Sequence, residues 1–387
     1  MSFSSLPLSY CTNVHPGRSV AEVEDGLDRY TLAVARAFGR PLSAGLWLAR
    51  PVVNELLASE AALTRFAHGL ARRGLSCHTL NAFPYGDFHG ARVKEQVYLP
   101  DWSQPQRLEY TLQCAKVLAT LLPAGGEGSI STLPLGFKQF DHPANFRDTA
   151  ITQLIDCAQE LERYRDTGRT IRLSIEPEPF CLLETTAEAI EFFAQLRQRA
   201  ADVGALDAVQ EHLGLCYDVC HQAVEFEDVA ESIRLIDSAG IRINKVHISC
   251  ALQLDRPSEN REGREALRRY VEPRYLHQTL AKSSDGEIAR AVDLTDAVID
   301  HPSADFLKAP QWRVHFHVPV DAERLGPLQT TRADLKKALA TVRELRYAPH
   351  LEVETYTWEV LPGAASSDLV QGLTRELAAT DGLVKSL

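Results

Sequence analysis

Short apolar strands alternate with amphipathic helices along almost the whole chain, and this rhythm restricts the fold more than any other feature. The strand runs are Leu8–Asn13, Ala44–Leu48, Ser76–Asn81, Ser129–Leu133, Ile171–Glu176, Leu213–Asp218, Ile243–Ile248, Arg313–Val318 and Leu351–Thr355. Between them lie helical patterns, such as Val20, Val23, Leu27, Tyr30, Val34 and Phe38 at the spacing of one helix face. Ser19-x-x-Glu22 and Thr185-x-x-Glu188 read as capping boxes, and Gly74, Gly168 and Gly240 as helix stops. Such alternation builds a parallel sheet with helices outside it. The competing architecture is a doubly wound open sheet, but no G-x-G-x-x-G follows the first strand. The expected fold is therefore a single (β/α)8 TIM barrel over residues 1–387, with long βα-loop insertions. A plain barrel needs about 250 residues, so 387 leave room for them. The polar segment 250–310, with its Arg/Glu-rich stretch from Arg256 to Glu272, reads as an insertion, helical or not, serving as a lid or an interface. Nine strand candidates compete for eight slots. The preferred reading puts Arg313–Val318 in the excursion after the seventh strand, and the alternative leaves an early strand outside the barrel.

Composition narrows the partners. A net charge of −11 without a sizeable basic patch opposes phosphate backbones, so nucleic acid is not expected. No apolar run approaches the roughly 18 residues of a membrane span. The first residues have no basic and apolar leader, so the protein is expected to be cytoplasmic. The eight cysteines form no C-x-x-C pair and lie mostly in apolar runs, which reads as reduced, buried thiols.

Four strands end in residues able to bind a hard or borderline cation: Glu176, Asp218, His247 and Glu354. The C-terminal ends of all barrel strands converge on one mouth, so residues distant in sequence can share one ion. Three carboxylates and one imidazole suit one divalent metal, either Mn, Zn, Co, Fe or Mg. Taken singly, an acidic strand end is more often a cap or a salt-bridge partner, and the set carries the argument. Glu178 and Glu352 lie two residues from Glu176 and Glu354 and share their strand faces, so each could be the ligand instead, or orient it. Glu176 is preferred because it directly follows the apolar run, and Glu354 because it lies nearer the strand end.

Glu176-Pro177, Asp218-x-x-His221, Val246-His247 and Glu354-Thr355 resemble the metal-binding strand ends of the xylose-isomerase-like and AP-endonuclease family-2 superfamily. A closer likeness spans the chain: Tyr10-Cys11-Thr12-Asn13-Val14-His15-Pro16-Gly17, Leu80–Gly86 and Leu351–Trp358 resemble the EboE family, described as metabolite traffic proteins. The resemblance implies a TIM barrel and a small polyhydroxylated, sugar- or cyclitol-type metabolite, with pathway proteins or a second copy of the chain as further partners. It also implies that Glu176 and Glu354 flank the substrate carbon, one removing a proton alpha to a carbonyl and the other returning it, as in a metal-dependent isomerase or epimerase. Two other readings stand beside it: a barrel that binds or hands over a metabolite without chemistry, and a zinc phosphodiesterase.

Further residues are candidates for substrate contact or for orienting the ligands. His221 completes the D-x-x-H, and its counterparts bind another zinc in the endonucleases and more often substrate in the epimerases. His315 and His317 form an H-x-H whose side chains share a strand face, though two polar residues on an edge strand would look the same. Asn81 is preferred to His78 as the inward residue of the third strand, since the two lie on opposite faces. Arg92 and Lys94, with His89 in the loop Phe83–Trp102, could meet a substrate carboxylate or phosphate, or belong to a solvated loop. Gly363–Asp368 precedes the last helix, where TIM barrels often bind phosphate.

Overall fold

The computed structural model describes residues 3–363 and 369–387. Fourteen strands form two sheets. In chain order they are β1 (Ser9–Cys11), β2 (Ser43–Trp47), β3 (Thr79–Asn81), β4 (Glu127–Thr132), β5 (Thr170–Ile175), β6 (Leu213–Asp218), β7 (Ile243–Ile248), β8 (Leu252–Asp255), β9 (Thr279–Lys282), β10 (Ile288–Ala291), β11 (Gln311–Val314), β12 (Arg324–Leu325), β13 (Leu328–Thr330) and β14 (His350–Val353). Eight of them close a parallel barrel in the order β1-β14-β7-β6-β5-β4-β3-β2, which makes the protein a (β/α)8 TIM barrel. Strands such as β6 and β7 are buried along their whole length because the barrel core covers one face and the helices the other.

The remaining six strands form an antiparallel sheet, β10-β9-β11-β8-β13-β12, inserted between β7 and β14. Gln311–Val314 therefore pairs outside the barrel, between β8 and β9. The excursion is longer than 250–310 and mostly strand; helix is confined to short pieces such as Arg261–Leu267. The sequence pattern missed the β12–β13 hairpin because it pairs only two residue positions, around Gly326 at φ +62°.

Helix ends follow local chemistry. Gly74, Gly168 and Gly240 sit at φ +68°, +71° and +69°, where a side chain would be strained. Thr185 and Glu188 form a complete capping box. At Ser19 only half forms: Ser19 Oγ accepts from Glu22 N–H, while the Glu22 carboxylate accepts from Arg18 N–H one residue earlier, beside the Arg18 guanidinium. The helical run after Ser19 is interrupted by a π-turn over Leu27–Thr31. The final helix is Leu369–Ser386, longer than its pattern suggested. The phosphate site expected at Gly363–Asp368 falls, beyond Gly363, outside the described residues.

One irregularity positions the site. Between β6 and β7 the register shifts, so that Leu215 faces Ile243 but Cys216 faces Lys245, and Asn244 bulges out. Along a strand a one-residue slip exchanges faces. The bulge thus sets Asp218 opposite His247 with both side chains toward the barrel axis. Gly214 makes it sterically feasible, because a Cβ there would lie 2.2 Å from Arg242 O and 2.7 Å from Asn244 Nδ2.

Candidate metal centre

Glu176 follows the last residue of β5, Asp218 ends β6, His247 lies one residue before the end of β7, and Glu354 follows β14. All four are buried, and one potential ligand atom from each lies within 4.8 Å of the others. Neighbouring bonds orient each one. Asp218 caps the helix Val219–Val224, its Oδ1 accepting from His221 N–H at 3.0 Å and Ser249 Oγ–H at 2.8 Å, which leaves Oδ2 facing the centre. Glu354 Oε1 accepts from Asn13 Nδ2 at 2.9 Å and Asn81 Nδ2 at 3.0 Å, which turns Oε2 toward His247 Nδ1 at 3.0 Å. Glu176 Oε1 lies 2.9 Å from the same nitrogen, and Asp218 Oδ2 3.5 Å from it. The opposite ring nitrogen, Nε2, is 3.2 Å from Glu352 Oε1, so Nε2–H donates there and Nδ1 is the ligand atom.

Glu352 sits one layer deeper, paired with the fully buried Lys245 ammonium at 2.7 Å. Burial by itself would raise the Glu352 pKa, but Lys245 and His247 outweigh it and hold the carboxyl at about 2. Gly45 leaves the space this carboxylate occupies, since a Cβ there would be 1.6 Å from Glu352 Oε2. Sequence reasoning missed Lys245, although a signal existed: a lysine inside an otherwise apolar strand, two residues before His247, needs a buried partner on the same face.

The electrostatics fit a cation. Burial pushes the Asp218 carboxyl up, yet His221 and His317 outweigh it and draw it well below the usual range. Burial would lower the His247 pKa, but Cys216, Glu176 and Glu354 raise it well above its ordinary value. Glu176 Oε2 and Asp218 Oδ2 are buried with no hydrogen-bond partner among the described residues. Three converging carboxylates with one imidazole and two orphaned oxygens are the donor set of a divalent ion.

A second cluster adjoins this one. His221, His315 and His317 donate their Nδ1–H groups to Pro177 O, Gln278 Oε1 and Glu354 O, at 2.9, 2.7 and 2.9 Å. The Nε2 atoms of His315 and His317 have no partner among the described residues. Ligand atoms of Asp218, His221 and His317 also fall within 4.8 Å of one another, as do those of Glu178, His221 and His315. The two H-x-H residues lie just beyond β11 rather than within it, and both are buried. Glu178 accepts from Tyr98 Oη–H at 2.7 Å, and burial pushes its carboxyl up to about 7. Gln278, Tyr98 and Asn13 carried no periodic or motif signal of their own.

Above the centre lies a cavity with about 510 Å³ of empty space, part of it open to solvent. Glu176, Glu178, His221 and Glu354 form its floor. Lys94 reaches its wall, but its ammonium is held by Asp293 at 2.7 Å and by two backbone carbonyls. Arg92 is not brought to the cavity: its side chain is 65% exposed and pairs with Glu95 at 3.5 Å. His78 is buried beside His350 at the opposite end of the barrel.

No family model and no curated protein matches the chain. Solved structures similar to it include an L-ribulose 3-epimerase, at 15% identity and a TM-score of 0.49, covering 99% of this chain and 94% of that one. The IolI protein with a zinc atom is similar at 13% identity and a TM-score of 0.48, covering 98% and 99%. A xylose isomerase-like TIM barrel protein from Mycobacterium smegmatis in complex with magnesium gives 13%, 0.48, 100% and 99%. The closed strand order defines the fold independently of these likenesses. Among the described residues, no helix is long and apolar enough to cross a membrane.

Proposed function

We propose that this protein is a metal-dependent isomerase or epimerase of a small polyhydroxylated carbonyl compound, of sugar or cyclitol type, acting in a metabolite pathway of the Ebo kind. The observation that carries the reading is the convergence of Glu176, Asp218, His247 and Glu354 from four strand ends. The motifs that resemble EboE proteins support it, because Asn13, Asn81 and Tyr356, which they contain, line the same cavity. A divalent ion held by the four residues would polarise the substrate carbonyl and stabilise the negative charge that develops on its oxygen.

Glu176 is the better placed base, since its Oε2 is free of protein partners. It accepts the proton from the carbon alpha to the carbonyl. The C–H electron pair becomes the carbon–carbon double bond of an enediolate, and the carbonyl oxygen takes the charge. In an epimerisation a protonated Glu354 delivers its proton to the opposite face of the same carbon, and the two carboxyls exchange roles in the reverse direction. In an isomerisation the proton returns to the neighbouring carbon. Asn13 and Asn81 fix the Glu354 carboxyl for this transfer.

Two measurements test the reading. Elemental analysis of protein purified without chelator should find about one divalent ion per chain, lost in a folded Asp218→Ala/His247→Ala variant. Incubation in D2O with a panel of ketoses and inososes should then incorporate deuterium at a carbon-bound position. Binding without exchange would instead favour a metabolite carrier. The histidine cluster favours a second reading, a polynuclear zinc hydrolase, and about three zincs per chain would bring it forward. A parent protein that neither holds nor takes up metal would sink the mechanism.

A further inference from the structure

The polar atoms left open in the cavity all lie on one side. Glu176 Oε2 and Asn13 Oδ1 are buried without partners among the described residues, and both belong to residues at the floor. On the facing wall the polar groups are already used. Tyr98 Oη–H donates to Glu178 and accepts from Gln278 Nε2. Tyr275 Oη–H donates to Phe88 O at 3.1 Å. Between these lie the hydrocarbon side chains of Phe83, Phe88, Val93, Val97 and Leu276.

The cavity also has no cation to spare. Lys94 is the one lysine or arginine lining it among the described residues. Its three ammonium protons go to Glu272 O at 2.9 Å, Tyr275 O at 2.6 Å and Asp293 Oδ2 at 2.7 Å. Residues 364–368 contain no Lys, Arg or His. A phosphate or carboxylate on the part of the ligand away from the metal would face a hydrocarbon wall with no counter-charge.

From this division we infer that the substrate is amphipathic: a hydroxylated, metal-facing part joined to an uncharged hydrocarbon or aryl substituent that packs on the Val97 and Leu276 wall. The inference deepens the function proposed above and rests on it for the polar half alone. A free sugar would leave that wall wet, and a sugar phosphate would bury an unpaired charge. Each methylene transferred from water to the wall should tighten binding on the order of threefold to fourfold.

Isothermal titration of the full chain with methyl, butyl and hexyl β-D-glucopyranoside, and with glucose 6-phosphate, tests this. Affinity should climb from methyl to hexyl, flatten in a Val97→Ser/Leu276→Ser variant, and be no better for the phosphate than for the methyl glycoside. A flat series, no binding by any glycoside, tightest binding of the phosphate, or a climb that persists in the double variant would each overturn the inference. Running the series with and without metal separates the two ideas. A climb in protein that never takes up metal leaves the amphipathic ligand standing and removes the metal chemistry. Metal uptake with a flat series does the reverse.

Discussion

His247 is gripped through both ring nitrogens, and the grip on its far side is the less visible of the two. Three carboxylates meet Nδ1, while Nε2–H rests on Glu352, itself neutralised by Lys245 in the barrel interior. A carboxylate behind a metal-binding histidine fixes its tautomer and ring angle, and losing such a support typically costs tenfold or more in metal affinity. Lys245→Met should therefore weaken Mn²⁺ or Zn²⁺ binding by roughly tenfold in titration calorimetry. It should also destabilise the fold by about 3–5 kcal/mol, because the Glu352 charge would stay buried without its partner. A folded variant with unchanged metal affinity would show that the pair serves packing alone. Much of this site could be read from residue types and spacing: the strand-end positions of Glu176, Asp218, His247 and Glu354 announced themselves. The support could not, because which of two carboxylates two residues apart faces an ion depends on what stands behind each.

Among the elements, the bulged pairing of β6 and β7 decides whether a centre exists. Without the extra residue at Asn244, Asp218 would lie opposite Val246, and the carboxylate and imidazole would point to different faces. Gly214→Ala should press on Arg242 O and Asn244 and cost about 1–3 kcal/mol of stability. It should lower metal affinity at the same time, as the β7 register is disturbed. Thermal denaturation and calorimetry on one preparation check both, and an unchanged melting temperature would count against the bulge as a constrained feature. A strand pattern read from sequence counts alternating faces and cannot see a bulge, because a bulge is a property of two paired strands.

Across the whole molecule, the inserted sheet is tied to the barrel through charge. Arg290 on β10 pairs with Glu184 and Glu225, and Lys138 also meets Glu184 at 2.7 Å. Burial, with Glu184 close by, pushes the Glu225 carboxyl up to about 8. The folded protein thus prefers this carboxyl protonated more than the unfolded chain does. That contribution is complete below the usual value of 4.5 and is lost as pH rises through about 8. The melting temperature of the parent should fall relative to that of Glu225→Gln over this window. Parallel curves for the two proteins would mean that the carboxyl does not titrate there. The insertion matters to the site because it supplies Tyr275, Gln278, His315 and His317, so loosening it at high pH should open the cavity wall.

The sequence by itself determined the barrel and the chemistry available at its mouth. Alternating apolar runs and capped helices are local patterns with few solutions, and a parallel barrel sends every strand end to one place. The tertiary structure alone decided which atoms face one another. It turned Lys94 toward Asp293 and left Arg92 on the surface, although the two lie two residues apart in one loop. It carried His315 and His317 from an inserted sheet to the barrel axis, and it placed Lys245 under Glu352. Such pairings join residues far apart in the chain, and their energies come from burial and neighbouring charge, which no local pattern encodes.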